Sequence, residues 1–568
     1  MNGAQDPGNR SVAAHYLAQL ADHGIQHLYV NAGTDFAPLA EAYASNADGS
    51  NVKLPEPVLC AHEGVAVGMA HGAYLISGQP QAVMFHVSVG TANAICAVAN
   101  AARDNVPLLV SAGRTPILEH GATGARDTMI HWAQEMYDQA GMLRELVKWD
   151  YELKNARQVD QVVDRALGMA QSQPRGPVYL TLPREVLAES MPEGHAVAPR
   201  TAVPVFGAPD EAALLSLARQ IASAKFPIIV TSASGADRDS VKLLGELAQQ
   251  YSIGVADTSP RYMNLAFEHP MHMGVARQAL LDQADVLVFL ECDVPWIDAQ
   301  MAPAEHTYIA HAGVDPLFAR YPMRSHRSDL SLTGTPAAIL QGLLNALESD
   351  ADALDADRRE VMETRASQAR EMIDVQRAQA LEQTGPITKA FMSAMLGAHL
   401  PDDAVVFNEY WASPELLQRR EPGSYFFLPP AGGLGWALPA ALGARHSTDH
   451  PVVALVGDGS YMFANPAACH HASAKHHLPV LTVIANNATW GAVEHATQAV
   501  YPQGKAVAQG EKRLSDLSPA PAFEAYCEAS GGYGERVTAR DELVPALQRA
   551  LHAVQQEQRQ ALLNVECV

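Results

Sequence analysis

Cysteine, positive charge, aromatic residues and long apolar runs are all scarce in this chain of 568 residues. The six cysteines (Cys60, Cys96, Cys292, Cys469, Cys527 and Cys567) form no Cys-x-x-Cys pair, which argues against a zinc ribbon and a disulfide framework. Lys and Arg number 39 against 62 Asp and Glu, a formal net charge of −23. A surface of that sign repels phosphate backbones and anionic lipid, so neither nucleic acid nor a membrane is an expected partner. No run approaches about 18 apolar residues, so no membrane span is expected. Met1 to Arg10 is polar and has no apolar signal core. The expectation is a soluble, cytoplasmic protein. Its acidity leaves room for an anionic ligand, provided that backbone amides or a metal supply the local attraction.

What is present is globular in character. Apolar residues make up 48% and charged residues 18%, a balance that buries a core rather than one that stays unfolded. At about 150 residues per domain the length suggests three or four domains. Three blocks separate along the chain. In the first, helical patterns (Ser11–His23, Glu63–Ser77, Asn93–Asp104) alternate with short apolar runs (His27–Val30, Ala82–His86, Pro107–Ala112, Val178–Leu182). A proline-punctuated linker follows, from Met191 to Pro209. The second block repeats the style, with Pro227–Val230, Ile253–Asp257, Val286–Leu290 and Tyr308–His311 as buried-strand candidates. Ser349 to Gln383 is charged and free of Gly and Pro, which predicts a surface helix. The third block has Val405–Asn408, Val452–Val456, Val480–Ala485 and Leu562–Glu566. The alternation predicts α/β architecture with three doubly wound parallel sheets.

The strongest chemical signal is Val452-Val-Ala-Leu-Val-Gly457-Asp458-Gly459-Ser460. An apolar strand delivers a carboxylate to the carboxyl edge of a sheet, where open α/β sheets bind ligands. Gly457 and Gly459 let backbone approach a bulky anion. A helical stretch and a second strand then lead to Asn486-Asn487-Ala-Thr489, which returns to the same edge. One carboxylate, one amide oxygen and one backbone carbonyl form a hard-oxygen set suited to Mg²⁺ or Ca²⁺, of which Mg²⁺ takes few protein ligands and fills its octahedron with phosphate oxygens and water. The pair reads as a diphosphate held through a metal.

With these two motifs the chain resembles the thiamine-diphosphate-dependent enzymes of the acetolactate synthase, benzoylformate decarboxylase and 2-hydroxyacyl-CoA lyase group. The resemblance extends over nearly the whole chain. It implies Asp458, Asn487 and the carbonyl of Thr489 as Mg²⁺ ligands, with Gly457, Gly459 and Ser460 beside the diphosphate. Pro422-Gly-Ser-Tyr-Phe-Phe and Ala431-Gly-Gly433-Leu434-Gly-Trp-Ala-Leu-Pro look closely like benzoylformate decarboxylase. That likeness places Gly433 at the cofactor and Leu434 where a bulky apolar residue bends it into a V. Leu59-Cys-Ala-His62-Glu63-Gly64 is similar to the segment of the activating glutamate. Glu63 would hydrogen-bond the pyrimidine nitrogen and promote loss of the thiazolium C2 proton. Taken alone, a glutamate that opens a helix is a dipole-favoured cap; the flanking match is what changes that reading.

Asn31-Ala-Gly33-Thr34-Asp35 resembles the loop after the family's first strand, with Thr34 where benzoylformate decarboxylase has an active-site serine. His86-Val-Ser-Val-Gly90-Thr-Ala-Asn93 resembles that enzyme's histidine loop. It implies His86 as a proton shuttle or substrate-carboxylate holder and Asn93 as a cofactor neighbour. Trp490-Gly-Ala-Val493-Glu494 follows the metal loop. Glu494 matches the acid/base glutamate of the 2-hydroxyacyl-CoA lyases, against the plainer reading of a solvated helix residue. Two departures matter. Val87-Ser88-Val89-Gly90 stands where acetolactate synthases have Gly-Pro-Gly, and Ala496 where benzoylformate decarboxylase is aromatic.

The resemblance implies a pyrimidine-binding domain (1–190), a central domain (205–347), a helical connector (348–384) and a diphosphate-binding domain (385–568). The cofactor would lie between subunits, so a dimer is the minimum active unit and a tetramer is expected. Relatives sometimes hold FAD or ADP in the central domain, where Gly235 is the only sign here. The implied activity is C–C bond cleavage or carboligation on a 2-oxo acid. Acetolactate-synthase-like two-carbon transfer, 2-hydroxyacyl-CoA cleavage and a non-catalytic regulatory member stand as alternatives. His470, His471, His476 and His477 lack tight ligand spacing and read as a solvated helix face.

Overall fold

The computed structural model describes residues 10–47, 52–348 and 356–568. Three six-stranded sheets divide the chain. The first contains β1 (His27–Asn31), β2 (Glu56–Leu59), β3 (Gln81–Phe85), β4 (Leu108–Arg114), β5 (Asp150–Glu152) and β6 (Val178–Pro183), in the order β2-β1-β3-β4-β6-β5. The second contains β7 (Pro227–Thr231), β8 (Gly254–Asp257), β9 (His272–Val275), β10 (Val286–Leu290), β11 (Tyr308–Gly313) and β12 (Leu330–Thr333), in the order β12-β11-β10-β7-β8-β9. The third contains β13 (Val405–Asn408), β14 (Tyr425–Phe427), β15 (Val452–Gly457), β16 (Leu481–Asn486), β17 (Tyr533–Val537) and β18 (Ala561–Glu566), in the order β14-β13-β15-β16-β18-β17. All neighbouring strands in the three sheets pair parallel. The doubly wound α/β class read from the sequence is therefore the class observed. The outer sheets share one strand order, and the middle sheet reverses direction between β7 and β10.

Interior strands are buried on both faces, as helices covering a parallel sheet require. Val286–Leu290, five apolar residues, is buried throughout. The Asn93–Asp104 expectation needs correction. The helix runs Val87–Arg103, so the segment after His86 is its opening turns and not a loop. Ser88, Gly90 and Thr91 break the apolar period there, although their small size is what lets the helix lie flat on its neighbours.

The first and third units share one apolar cluster. At its centre the Glu63–Ser77 helix meets the Ala437–Arg445 helix backbone to backbone. A Cβ on Gly72 would sit 1.8 Å from the Ala440 carbonyl oxygen, and one on Gly443 would sit 1.8 Å from that of Met69.

The Ala356–Glu382 helix occupies the expected connector. It is anchored by Arg358, which is almost fully buried. The guanidinium donates to the carbonyls of Ile221 and Ala224 (2.7 and 3.2 Å) and of Tyr251 and Ser252 (2.8 and 3.1 Å). These are the carboxyl ends of the Glu211–Ser223 and Arg238–Tyr251 helices, where unsatisfied carbonyls and the helix dipole favour a cation. Among the described residues no helix is long and apolar enough to cross a membrane.

Candidate active site

The candidate residues gather past the carboxyl ends of strands in the first and third sheets. Beyond β2, His62 caps the Glu63–Ser77 helix, its Nδ1 accepting from the Gly64 N–H. Glu63 therefore opens the helix beside unsatisfied N–H groups that favour a carboxylate. Its Oε2 accepts from Asn93 Nδ2 at 2.7 Å, and Gly90 leaves room for it, since a Cβ there would lie 3.2 Å from Oε1. The structure thus brings Glu63 and Asn93, read from two separate motifs, into one hydrogen bond.

Beyond β1 and β3 stands a pair of which sequence reasoning saw one member. His86 Nδ1 lies 2.6 Å from Asp35 Oδ1, and the Val87 N–H donates to Asp35 Oδ2 at 3.3 Å. Asp35 is buried. Two glycines make room for the pair. A Cβ on Gly33 would strike the His86 ring at 2.2 Å, and one on Gly113 would strike Asp35 Oδ2 at 1.8 Å. Val87 is held at φ +32°, a strained value for a β-branched residue. The Asp35 hydrogen bond raises the His86 pKa above its ordinary 6.5, against partial burial, which lowers it. Thr34 is exposed beside the pair, its carbonyl 3.5 Å from Arg184 Nη1.

In the third sheet β15 and β16 are neighbours, Gly457 opposite Ala485, so Asp458 and the 487–489 turn meet. Asp458 Oδ1 accepts from the Gly459 N–H at 2.7 Å, and the N–H groups of Asn487, Ala488 and Thr489 also face the carboxylate. Oδ2 is buried and has no hydrogen-bond partner among the described residues. Burial raises the Asp458 pKa, and those N–H groups pull it back. A bare, buried carboxylate oxygen at a strand edge is costly unless something cationic meets it. This is the fit expected of a Mg²⁺ ligand. Gly457 opens onto free space, so its backbone is bare where a diphosphate would approach, whereas Gly459 lies against the Trp490 ring, which a Cβ there would strike at 2.6 Å.

Gly433 and Leu434 lie on a loop fastened from two sides. Asn100 accepts from the Gly433 N–H at 3.0 Å and donates to its carbonyl at 2.8 Å. Glu409, fully buried at the end of β13, accepts from the N–H groups of Gly435, Trp436 and Ala437 at 2.7, 3.0 and 2.8 Å and bonds Ser460. Burial raises its pKa to about 7, partly offset by these donors. The sequence signal for Glu409 was a carboxylate directly after the apolar Val405–Asn408 run, the same cue that exposed Asp458. Leu434 is half-buried against the shared apolar cluster.

Glu494 accepts from Thr489 Oγ1 at 2.9 Å and Ser515 Oγ at 3.1 Å, with Lys512 Nζ at 3.4 Å. The Thr489 bond leads in holding its carboxyl below the usual range. The histidine group is corrected in part. His470 is buried, bonded to the Tyr461 hydroxyl and Gln560 at 2.7 Å each, and the four do not converge.

The comparisons follow this geometry. Residues 10–142 match the thiamine pyrophosphate enzyme N-terminal TPP binding domain, and 408–565 match the C-terminal one. The chain is 28% identical to a benzoylformate decarboxylase of Pseudomonas aeruginosa over 94% of this chain and 95% of that one. It is 24% identical to the acetolactate synthase large subunit IlvG of Mycobacterium tuberculosis, over 86% and 85%. In fold it superposes on a thiamine diphosphate-dependent 4-hydroxybenzoylformate decarboxylase of Rhodococcus jostii with TM-score 0.77 and 22% identity, covering 98% of this chain and 99% of the other. With both binding domains matched, and with a carboxylate at the head of each site-bearing element, this chain belongs to the thiamine pyrophosphate enzyme family.

Proposed function

We propose that the protein is a thiamine-diphosphate- and Mg²⁺-dependent lyase or carboligase acting on a 2-oxo acid. The observation that carries this reading is the buried Asp458 carboxylate, which faces the 487–489 N–H groups and whose Oδ2 has no hydrogen-bond partner among the described residues. Asp458, Asn487 and the Thr489 carbonyl would hold the metal, with Gly457, Gly459 and Ser460 at the phosphates. Bound thiamine diphosphate supplies a carbanion at C2 and a sink for the electrons of the cleaved C–C bond. The chain's own groups do the rest. Glu63 presents a carboxylate at the edge of the first domain that would hydrogen-bond the pyrimidine ring, and Asn93 fixes it. Gly433 and Leu434, tied down by Asn100 and Glu409, shape the seat. His86 presents an imidazolium to an anionic substrate. Glu494, kept ionised by its donors, accepts a proton rather than giving one at neutral pH.

The boundaries 1–190, 205–347, 348–384 and 385–568 belong to this reading, as does self-association. Exposed apolar side chains at Met129, Tyr137, Val500, Tyr501 and Leu514 support a subunit contact; a dimer with Glu63 and Asp458 contributed by different chains is the minimum unit, a tetramer the expected one. If FAD or ADP is held, its place is the cleft of about 400 Å³ between the first and central units, lined by Gly235, Arg103, Arg175, Arg238 and Arg320. The test of function is a panel of 2-oxo acids and acyl-CoA thioesters with added cofactor and Mg²⁺. CO₂ release from a 2-oxo acid is the expected result. Cleavage confined to the CoA thioesters would replace this reading with the 2-hydroxyacyl-CoA lyase one.

Asp35 provides a second test. The Asp35 hydrogen bond raises the His86 pKa, so activity that needs the imidazolium falls as pH rises through that elevated pKa. Asp35→Asn should move this alkaline limb of kcat/KM to lower pH. His86→Ala should cost about 10²- to 10⁴-fold and abolish the limb. An unchanged profile in Asp35→Asn would remove His86 from the mechanism.

A further inference from the structure

Away from the cofactor site, three segments converge on one carboxylate. Asp160, in the first turn of the Val159–Gln171 helix, is buried. Its Oδ1 lies 2.5 Å from His15 Nε2 on the Val12–Asp22 helix. Its Oδ2 lies 2.7 Å from His195 Nε2 in the linker that leaves the first unit, and accepts from the Ala198 N–H at 3.3 Å. The two rings stand edge to face, 89° apart, with centroids at 5.5 Å, each Nε2 set on one oxygen of the same carboxylate. The three ligand-type atoms all lie within 4.8 Å of one another, and this is the one such group among the described residues.

We infer that His15, Asp160 and His195 form a binding site for a zinc-type divalent cation that staples the linker to the first unit. Two imidazole nitrogens and one carboxylate are the borderline set such ions select, and a fourth position goes to water. His195 is only part-buried, so water and the ion can reach it. The Ala198 N–H fixes the carboxylate from outside, as supporting shells do. Asp164, one turn further along and 3.3 Å from His23 Nε2, adds negative charge nearby. A tetrahedral ion with bonds of about 2.0 Å needs ligand atoms roughly 3.3 Å apart, so the two contacts would open by roughly 0.6–0.8 Å. With no ion they close into hydrogen bonds, each imidazole donating.

The test uses the full chain, stripped with chelator and reloaded with thiamine diphosphate and excess Mg²⁺, then titrated with Co²⁺ as probe. One equivalent should bind with the intense visible bands of four-coordinate cobalt, and Zn²⁺ should displace it. His195→Gln keeps a donor for Asp160 and so keeps the fold, yet should weaken binding by at least about 100-fold. Asp458→Ala should leave this equivalent in place, which separates it from the Mg²⁺ site. Failure of the wild type to bind, or equal binding in His195→Gln, would overturn the site and leave the triad a hydrogen-bonded clasp.

Discussion

Glu63→Gln should leave the cofactor bound and the chemistry nearly stopped, with C2 proton exchange of bound thiamine diphosphate slowed by about 10²- to 10⁴-fold, the range for losing a positioned proton carrier. The structure makes this substitution clean. Glutamine has the same length, and its amide oxygen can still accept from Asn93 Nδ2, which lies 2.7 Å from Glu63 Oε2. The helix beginning at Glu63 is capped by His62, so it does not depend on the carboxylate for its start. What changes is the charge and the ability to share a proton at the site's edge. Quenched-flow exchange read by NMR gives the rate, and cofactor titration gives the affinity. Wild-type exchange in the variant would remove Glu63 from its role.

Asp458→Ala should act in the opposite way, on binding before chemistry. Oδ2 is buried with no partner among the described residues, and such a group costs stability until a cation meets it. Removing it should therefore leave the ligand-free protein at least as stable as wild type. The stabilisation that cofactor and Mg²⁺ give the wild type, about 2.7 kcal/mol at a hundredfold excess over Kd, should disappear. Thermal unfolding with and without both ligands reads the two effects separately. A variant that keeps the ligand-induced rise in Tm would show that the metal sits elsewhere.

Legibility followed position in the sheets. The twelve interior strands all fall on the apolar runs read from the sequence. The six edge strands do not. Glu56–Leu59 exposes three of its four residues, Asp150–Glu152 is part-buried throughout, and Leu330–Thr333 buries one side chain. With one neighbour and an open flank these three carry no continuous apolar signature, whereas His272–Val275 and Tyr425–Phe427 are mostly buried but only four and three residues long. The same logic separates the site residues. Asp458 and Glu63 announced themselves through glycine-flanked motifs. Glu409 carried only its place after an apolar run and Asp35 not even that, and the meaning of both lies in partners that the fold brings from far along the chain: the N–H groups of Gly435 to Ala437 for one, and His86 for the other. The glycines at 33 and 113 gave no hint that they were clearing space for one hydrogen-bonded pair.

The backbone contact at Gly72 and Gly443 bears on how this chain can diversify. The helix headed by Glu63 and the one that follows Leu434 touch with no side chain between them, so neither position can drift even to alanine without prising the two apart. Sequence change must flow around this seam. The loops past the strand ends are free to vary, while the seam holds the first and third units of each chain at one spacing through every such change.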